Sequence, residues 1–304
     1  MSGFTDKDVP SQAGKCFAVT GANTGLGFAT AQVLAARGAR VLLACRTEAK
    51  AEEAMARIRA ETPSADLTFV PLDQADLNSV RAAAKIITDE PRLDALVNNA
   101  GVMFPPLQRT AQGHELQFGV NHLGCFALTA LLLGKLSETP DARVVVTSSA
   151  AHKGGKIDWN DIDAHQSYNR AKRYSDSKLM NLLFAKELDR RLRASGSSII
   201  AVACHPGVAS TDLGRNMPAL ARWAWPVLTY FLNTPEQGAW PTLQATTAPG
   251  VQGGGYFGPQ GLAGAKGVSG LTDCSRDALD PIAGRRLWDI SVELTGIDPG
   301  LPPA

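Results

Sequence analysis

The chain has 304 residues, with 30 Lys plus Arg against 29 Asp plus Glu and a formal charge of +1 at pH 7. That length can bury a large core without staples, and the near-neutral charge excludes a protein that grips nucleic acid mainly through phosphate contacts. Apolar residues at 44% and charged ones at 19% exclude a disordered chain.

The opening stretch, Met1–Gly14, reads as a polar tail rather than a secretory signal. From residue 15 to about residue 208, short apolar runs alternate with helical patterns. The runs are Cys16–Thr20, Arg40–Cys45, Leu67–Leu72, Ala95–Val97, Arg143–Thr147 and Ile199–Cys204, with Tyr256–Phe257 as one more. They are rich in Val, Leu and Ile, as strands buried on both faces of a parallel sheet are. Between them Phe28–Arg37, Glu48–Glu61, Leu77–Asp89, Leu116–Leu136 and Ser175–Arg193 read as helices. The alternation predicts a single α/β domain over 1–304, a Rossmann-type doubly wound parallel sheet with helices on both faces. Pro206 to Pro235 is the best candidate for a break, and the strand beyond it argues against one. No stretch approaches ~20 consecutive apolar residues, so no transmembrane segment is expected. The five cysteines (Cys16, Cys45, Cys125, Cys204, Cys274) lack CxxC or zinc-like spacing, which predicts reduced thiols in a cytoplasmic protein and no metal.

After the first strand comes Thr20-Gly21-Ala22-Asn23-Thr24-Gly25-Leu26-Gly27. Glycines allow a tight turn, close backbone approach to a pyrophosphate and close helix–strand packing; the following helix N-terminus offers free N–H groups and a positive dipole end. A glycine cluster alone is an ordinary turn, but its place at the first strand–helix junction makes it a dinucleotide site, with Gly21, Asn23, Thr24, Gly25, Leu26 and Gly27 as its residues. The second strand ends at Cys45-Arg46, where an NAD enzyme carries an acidic residue for the ribose 2′-OH. No acid follows until Glu48. Arg46 suits a 2′-phosphate, which favours NADP(H) over NAD(H); the alternative is a solvated surface Arg.

The glycine turn, Asn98-Asn99-Ala100-Gly101, Ser149, Tyr174-x3-Lys178 and Pro206-Gly207 stand in an order that resembles the short-chain dehydrogenase/reductase family. The likeness covers about residues 15 to 258. Val120-Asn121-His122-Leu123-Gly124, His205-Pro206-Gly207-Val208 and the long Ser-to-Tyr gap resemble its retinol-dehydrogenase-like branch. The chemistry follows from residue types. Interconversion of an alcohol and a ketone or aldehyde needs a proton donor and acceptor, and a Tyr at its reference pKa of about 10 is a poor base. A Lys at i+4 projects from the same helix face and favours the phenolate. The resemblance implies that Lys178 also bonds the nicotinamide ribose and that Asn121 helps hold a water in a proton relay. A Ser beside the Tyr would polarise the carbonyl oxygen.

Tyr168-x3-Lys172 fits the same spacing six residues upstream. Lys178 leads into the apolar Leu179–Ala185, whereas Tyr168–Arg173 reads as a basic stretch with no buried face, a poor platform. Ser148 and Ser149 both end a strand, and the family pattern places the catalytic Ser second. Asn99, Ala100 and Gly101 would pass behind the adenosine ribose. Asp73 would either meet the adenine edge or cap a helix. Pro206, Gly207 and Val208 would leave the strand over the nicotinamide, and Thr211 resembles a family Thr that contacts the carboxamide or diphosphate. The five histidines pair with no nucleophile in a recognisable motif. Residues 208–234, with two Trp, a Tyr and a Phe, would form a lid for a lipophilic small-molecule substrate; the alternatives are a core helix and peripheral membrane contact. Competing functions are a non-catalytic NADP(H)-binding regulator and a protochlorophyllide-reductase-like enzyme. A homo-oligomer is compatible with all three.

Overall fold

The structure is a computed structural model, and it describes residues 3–207 and 233–303. Eight strands form one sheet: β1 (Cys16–Thr20), β2 (Arg40–Cys45), β3 (Asp66–Pro71), β4 (Ala95–Asn98), β5 (Arg143–Thr147), β6 (Ile200–Cys204), β7 (Tyr256–Gly261) and β8 (Lys266–Leu271). Their order is β3-β2-β1-β4-β5-β6-β7-β8, with every pair parallel except β7 with β8. The order reverses between β1 and β4, and in such sheets ligands bind outside the carboxyl ends of the strands at that point. The glycine turn after β1 and Asn98-Asn99-Ala100-Gly101 after β4 meet there.

Side chains alternate across the sheet and feed two separate cores. Ala18, Leu42, Val144 and Val146 face one; Phe17, Val19, Val41, Leu43 and Val145 face the other. The first is covered by helices α3 (Leu77–Thr88), α5 (Gly124–Ser137), α6 (Arg170–Ala194) and α8 (Pro281–Thr295), through residues such as Val80, Phe126, Leu183 and Trp288. The second is covered by α1 (Gly25–Ala36), α2 (Glu48–Glu61) and α7 (Pro235–Thr247), through Leu34, Ile58 and Leu243. Helices thus lie on both faces, as the strand composition requires.

The differences from the sequence reading have local causes. Helix α6 begins at Arg170, five residues before Ser175, because Asn169 caps it by accepting from the amides of Ala171 and Lys172. The stretch Tyr168–Arg173 also does have a buried side: Arg173 is buried and paired with Asp161 at 2.9 Å. The expected helix Leu116–Leu136 is α4 (Leu116–Phe118), a wide π turn at Gly119–Leu123, then α5. By composition, Leu116–Ser137 is long and apolar enough to cross a membrane, contrary to the expectation above, but most of it is buried within the fold against the sheet. Strand β8 was not foreseen, since Lys-Gly-Val-Ser-Gly-Leu carries too few β-formers to announce itself. It pairs with the N-terminal segment, where Phe4 bridges Ser269, and Phe4 and Val9 are buried, so this segment is docked rather than a loose tail. Of the expected lid, only Asn233 and Thr234 lie within the described residues; Asn233 is buried and donates to the Pro206 carbonyl at 2.8 Å.

Candidate active site

The turn between β1 and α1 is shaped for a pyrophosphate. Gly21 (φ +67°) and Gly25 (φ +57°) adopt left-handed backbone that L side chains rarely take. A Cβ on Gly27 would lie 2.4 Å from the Gly21 carbonyl oxygen and 2.5 Å from Asn99 Nδ2, so only glycine lets the helix approach this closely. Thr24 is the N-cap of α1, yet its side chain makes no capping hydrogen bond, and the first turn holds no acidic residue. The amides at this helix end are therefore left to an outside acceptor. A cradle a Cβ would fill, beside an uncapped helix terminus, fits a dinucleotide phosphate. The opposite wall is fixed by Thr20: its hydroxyl accepts from the amides of Asn99 (3.0 Å) and Ala100 (2.9 Å), while Asn99 Nδ2 donates to its carbonyl at 2.8 Å. Arg46 is exposed just past β2 and makes no ion pair with a described residue. Asp73 does not cap α3; Asp76 does, and Asp73 instead accepts from the Ala75 amide at 2.9 Å.

The chemistry-bearing side chains gather beyond β4 and β5. Ser148 is buried and donates to the Lys178 carbonyl at 2.7 Å, whereas Ser149 is half-buried, with its Oγ accepting from the Ala151 amide at 3.2 Å. The Ser149 hydroxyl proton is thereby left to donate elsewhere. Tyr174 and Lys178 lie one turn apart in α6, with Lys178 Nζ 5.7 Å from the centre of the Tyr174 ring. The Tyr174 ring also meets Phe104 edge-on at 5.2 Å. Lys178 is buried, and its Nζ donates to the Thr147 carbonyl at 3.2 Å. Burial holds its ammonium well below the usual lysine range, at about 8. A Cβ on Gly101 would lie 3.5 Å from Lys178 Nζ and 3.1 Å from Asn121 Oδ1, so Gly101, Asn121 and Lys178 converge.

Asn121 occupies the π turn and clamps Val102: its Oδ1 accepts from the Val102 amide at 2.7 Å and its Nδ2 donates to the Val102 carbonyl at 3.0 Å. The same Nδ2 donates to Ser177 Oγ at 2.9 Å. The Asn121 side chain is thus spent on holding the loop after β4 to α6. The alternative pair is not assembled. Tyr168 precedes the N-cap of α6 and donates to the Pro105 carbonyl at 2.8 Å, while Lys172 is paired with Asp176 at 2.5 Å. Pro206 and Gly207 leave β6 beside the β7–β8 hairpin, Gly207 with φ +73°; Val208 and Thr211 lie outside the described residues. Two contributors escaped the sequence reading. Gln117, fully buried, holds the Phe104 amide at 3.1 Å and the Arg170 carbonyl at 3.0 Å, and His152 bonds the Ser149 carbonyl at 2.6 Å. Only the position of His152, three residues past Ser149, hinted at such a role.

Residues 15–220 match the profile of the short chain dehydrogenase family. The chain belongs to that family. Within it the chain falls in the retinol-dehydrogenase-like branch. It is 42% identical to mouse (Mus musculus) retinol dehydrogenase 14 over 93% of this chain and 86% of that one. It is 41% identical to human retinol dehydrogenase 11 over 93% and 86%. Among solved structures, an uncharacterised protein from Mycobacterium paratuberculosis superposes with a TM-score of 0.82 at 39% identity, covering 99% of this chain and 100% of that one. Pseudomonas aeruginosa RhlG in an NADP active-site complex gives a TM-score of 0.65 at 25% identity, over 81% and 94%. The protein is therefore an oxidoreductase whose fold binds a nicotinamide dinucleotide.

Proposed function

We propose that this short-chain dehydrogenase is a cytoplasmic NADP(H)-dependent enzyme that interconverts a primary or secondary alcohol and the matching aldehyde or ketone, on a lipophilic substrate. The observation that carries the reading is the buried Lys178 cation one helical turn from the half-buried Tyr174, at the carboxyl ends of β4 and β5. A cation buried this way stabilises a neighbouring phenolate more strongly than one in water would. Similarity to proteins named retinol dehydrogenases supports the lipophilic substrate, and the exposed Arg46 past β2 supports the 2′-phosphate.

When bound, the nicotinamide supplies or accepts the hydride. Gly21, Gly25, Gly27 and the N-terminus of α1 would hold the pyrophosphate, with Asn23, Thr24 and Leu26 lining the turn. Asn99, Ala100 and Gly101 would back the adenosine ribose, Asp73 the adenine, and Pro206, Gly207, Val208 and Thr211 the nicotinamide end. Ser149 donates its hydroxyl proton to the substrate oxygen and orients it. Tyr174 gives its phenolic proton to that oxygen in reduction and takes it back in oxidation. Lys178 lowers the pKa of the Tyr174 phenol and reaches towards the ribose. Asn121 holds the loop after β4 against α6, beside Lys178, where a relay water would sit. The test is NADPH oxidation, followed by absorbance, with all-trans-retinal, decanal and hexanal, repeated with NADH. Turnover that favours NADPH and the long apolar aldehydes supports the reading. Faster turnover with NADH overturns the cofactor assignment, and none with any carbonyl favours a regulator.

A further inference from the structure

His152 lies in the single turn of 3-10 helix, Ala150–Gly154, that follows Ser149, and it is 1% exposed. Its Nε2 lies 3.1 Å from the backbone nitrogen of Ser275 and accepts that N–H. A ring nitrogen that accepts carries no proton, so in the neutral imidazole the proton is on Nδ1. Nδ1 lies 2.6 Å from the Ser149 carbonyl oxygen and donates to it. One tautomer therefore serves both bonds. Burial keeps the ring neutral, pushing its pKa below the ordinary histidine value against the pull of the Ser149 carbonyl. The ring is packed at right angles on Tyr256, centroids 5.6 Å apart, and Tyr256 leans on His205 at 5.2 Å. The Tyr256 hydroxyl lies 3.5 Å from His152 Nδ1, and Ser148, next to Ser149, donates to the Lys178 carbonyl.

Ser149 is thus gripped three times from the following turn: at its carbonyl by the His152 ring and by the His152 backbone amide at 3.1 Å, and at its Oγ by the Ala151 amide. We propose that His152 is a positioning residue: its bond to the Ser149 carbonyl fixes where the Ser149 hydroxyl points, and its second nitrogen anchors that geometry to the chain at Ser275. The proposal rests on the reading of Ser149 as the group that contacts the substrate oxygen. A loosened serine would cost rate rather than binding, since misplacement of about 1 Å can cost ~100-fold in catalysis.

Two substitutions separate the two nitrogens. Asn carries its amide at the position of Nδ1, so His152→Asn keeps a donor for Ser149 and loses the acceptor for Ser275. Gln reaches the position of Nε2, so His152→Gln keeps the acceptor and loses the donor. With NADPH and decanal, His152→Gln should lower kcat at least roughly tenfold while the NADPH Kd, measured by fluorescence titration of folded sites, stays unchanged. His152→Asn should keep kcat within about threefold, but its Ser275 amide should exchange with solvent deuterium faster. Wild-type kcat in His152→Gln overturns the proposal, as does equal loss in both variants tracking a fall in Tm. Ser149→Ala is the control. If it turns over normally, the reading of Ser149 has failed; if it is inactive while His152→Gln is not, the positioning role alone has failed. Unchanged exchange at Ser275 in His152→Asn removes the anchor whatever the kinetics.

Discussion

Lys178 Nζ and the Thr147 carbonyl oxygen, 3.2 Å apart, join helix α6 to the end of the strand that leads into Ser149. The same carbonyl also accepts from Asn181 Nδ2 at 3.0 Å, so it would keep a partner if the lysine were lost. This separates what Lys178 does for chemistry from what it does to stability.

Burial lowers the Lys178 pKa from 10.5 to about 8. Below about 8 the folded and unfolded chains both carry the proton, and the folded state bears the whole desolvation penalty. Between about 8 and 10.5 the folded chain sheds the proton while the unfolded chain keeps it, so stability rises with pH. Lys178→Met should therefore be more stable than the cofactor-free wild type at neutral pH. The gain is at most about 3 kcal/mol, at ~1.36 kcal/mol per pKa unit. The gap should close as pH approaches 10.5. Urea melts of both proteins across this range check it; a gap that does not vary with pH sinks the assignment. Carbonyl reduction should be lost in the variant.

Tyr174→Phe should abolish turnover and leave NADPH affinity nearly intact, because it removes the proton donor and none of the glycine cradle. Tyr168→Phe removes a hydrogen bond to the Pro105 carbonyl and a longer one, at 3.4 Å, from Gln117 Nε2, in a half-buried setting. It should keep near wild-type kcat and lose about 1 kcal/mol of stability. Steady-state rates and cofactor titration of the two variants decide between them; the reverse pattern would mean that the register is wrong.

How much of this was legible follows from where the information lies. Strands β1 to β6 were readable almost to the residue because burial on both faces demands unbroken apolar runs, and Cys16–Thr20, Arg40–Cys45 and Arg143–Thr147 stand as read, whereas β7 runs on to Gly261 and β8 carries no such run. The start of α6 was missed because Asn169, its cap, looks like any loop Asn until its side chain is seen on two amides. The π turn at Gly119–Leu123 keeps an apolar pattern close to that of a helix, so no period announces it. The glycine turn after β1 was legible because its glycines answer a local backbone demand. His152 and Gln117 were not, because each acts on backbone groups, and a bond to a carbonyl or an amide leaves no mark on the partner's residue type.

Gly27→Ala tests the cradle. The added Cβ would fall 2.4 Å from the Gly21 carbonyl oxygen, a backbone atom that cannot rotate away. Either the turn or the start of α1 must move, and both would line the pyrophosphate. NADPH affinity should drop at least tenfold, with a Tm loss in the same variant, as expected when overpacking costs about 1–3 kcal/mol. Isothermal titration and a melting curve give both numbers. Unchanged affinity would show that the phosphates bind elsewhere.

Arg46→Asp tests the proposed cofactor preference. Arg46 stands exposed one residue beyond β2, where a dinucleotide fold meets the adenosine ribose, and no described acidic side chain holds it. A guanidinium there can take a 2′-phosphate with charge-assisted hydrogen bonds, each worth about 1.5–3 kcal/mol. Arg46→Asp removes them, repels the phosphate and offers a carboxylate to the 2′-OH. The ratio of kcat/KM for NADPH over NADH should fall by roughly 10- to 100-fold, at about 1.4 kcal/mol per factor of ten. Most of that change should appear in KM, since the ribose is remote from the reacting carbon and bound alike in ground and transition states. Raising salt should weaken NADPH binding to the wild type more than to the variant, because an exposed charge pair is screened. If the ratio stays the same and the salt dependences coincide, Arg46 only faces solvent, and the preference between the two cofactors must be set elsewhere along the adenosine end of the turn.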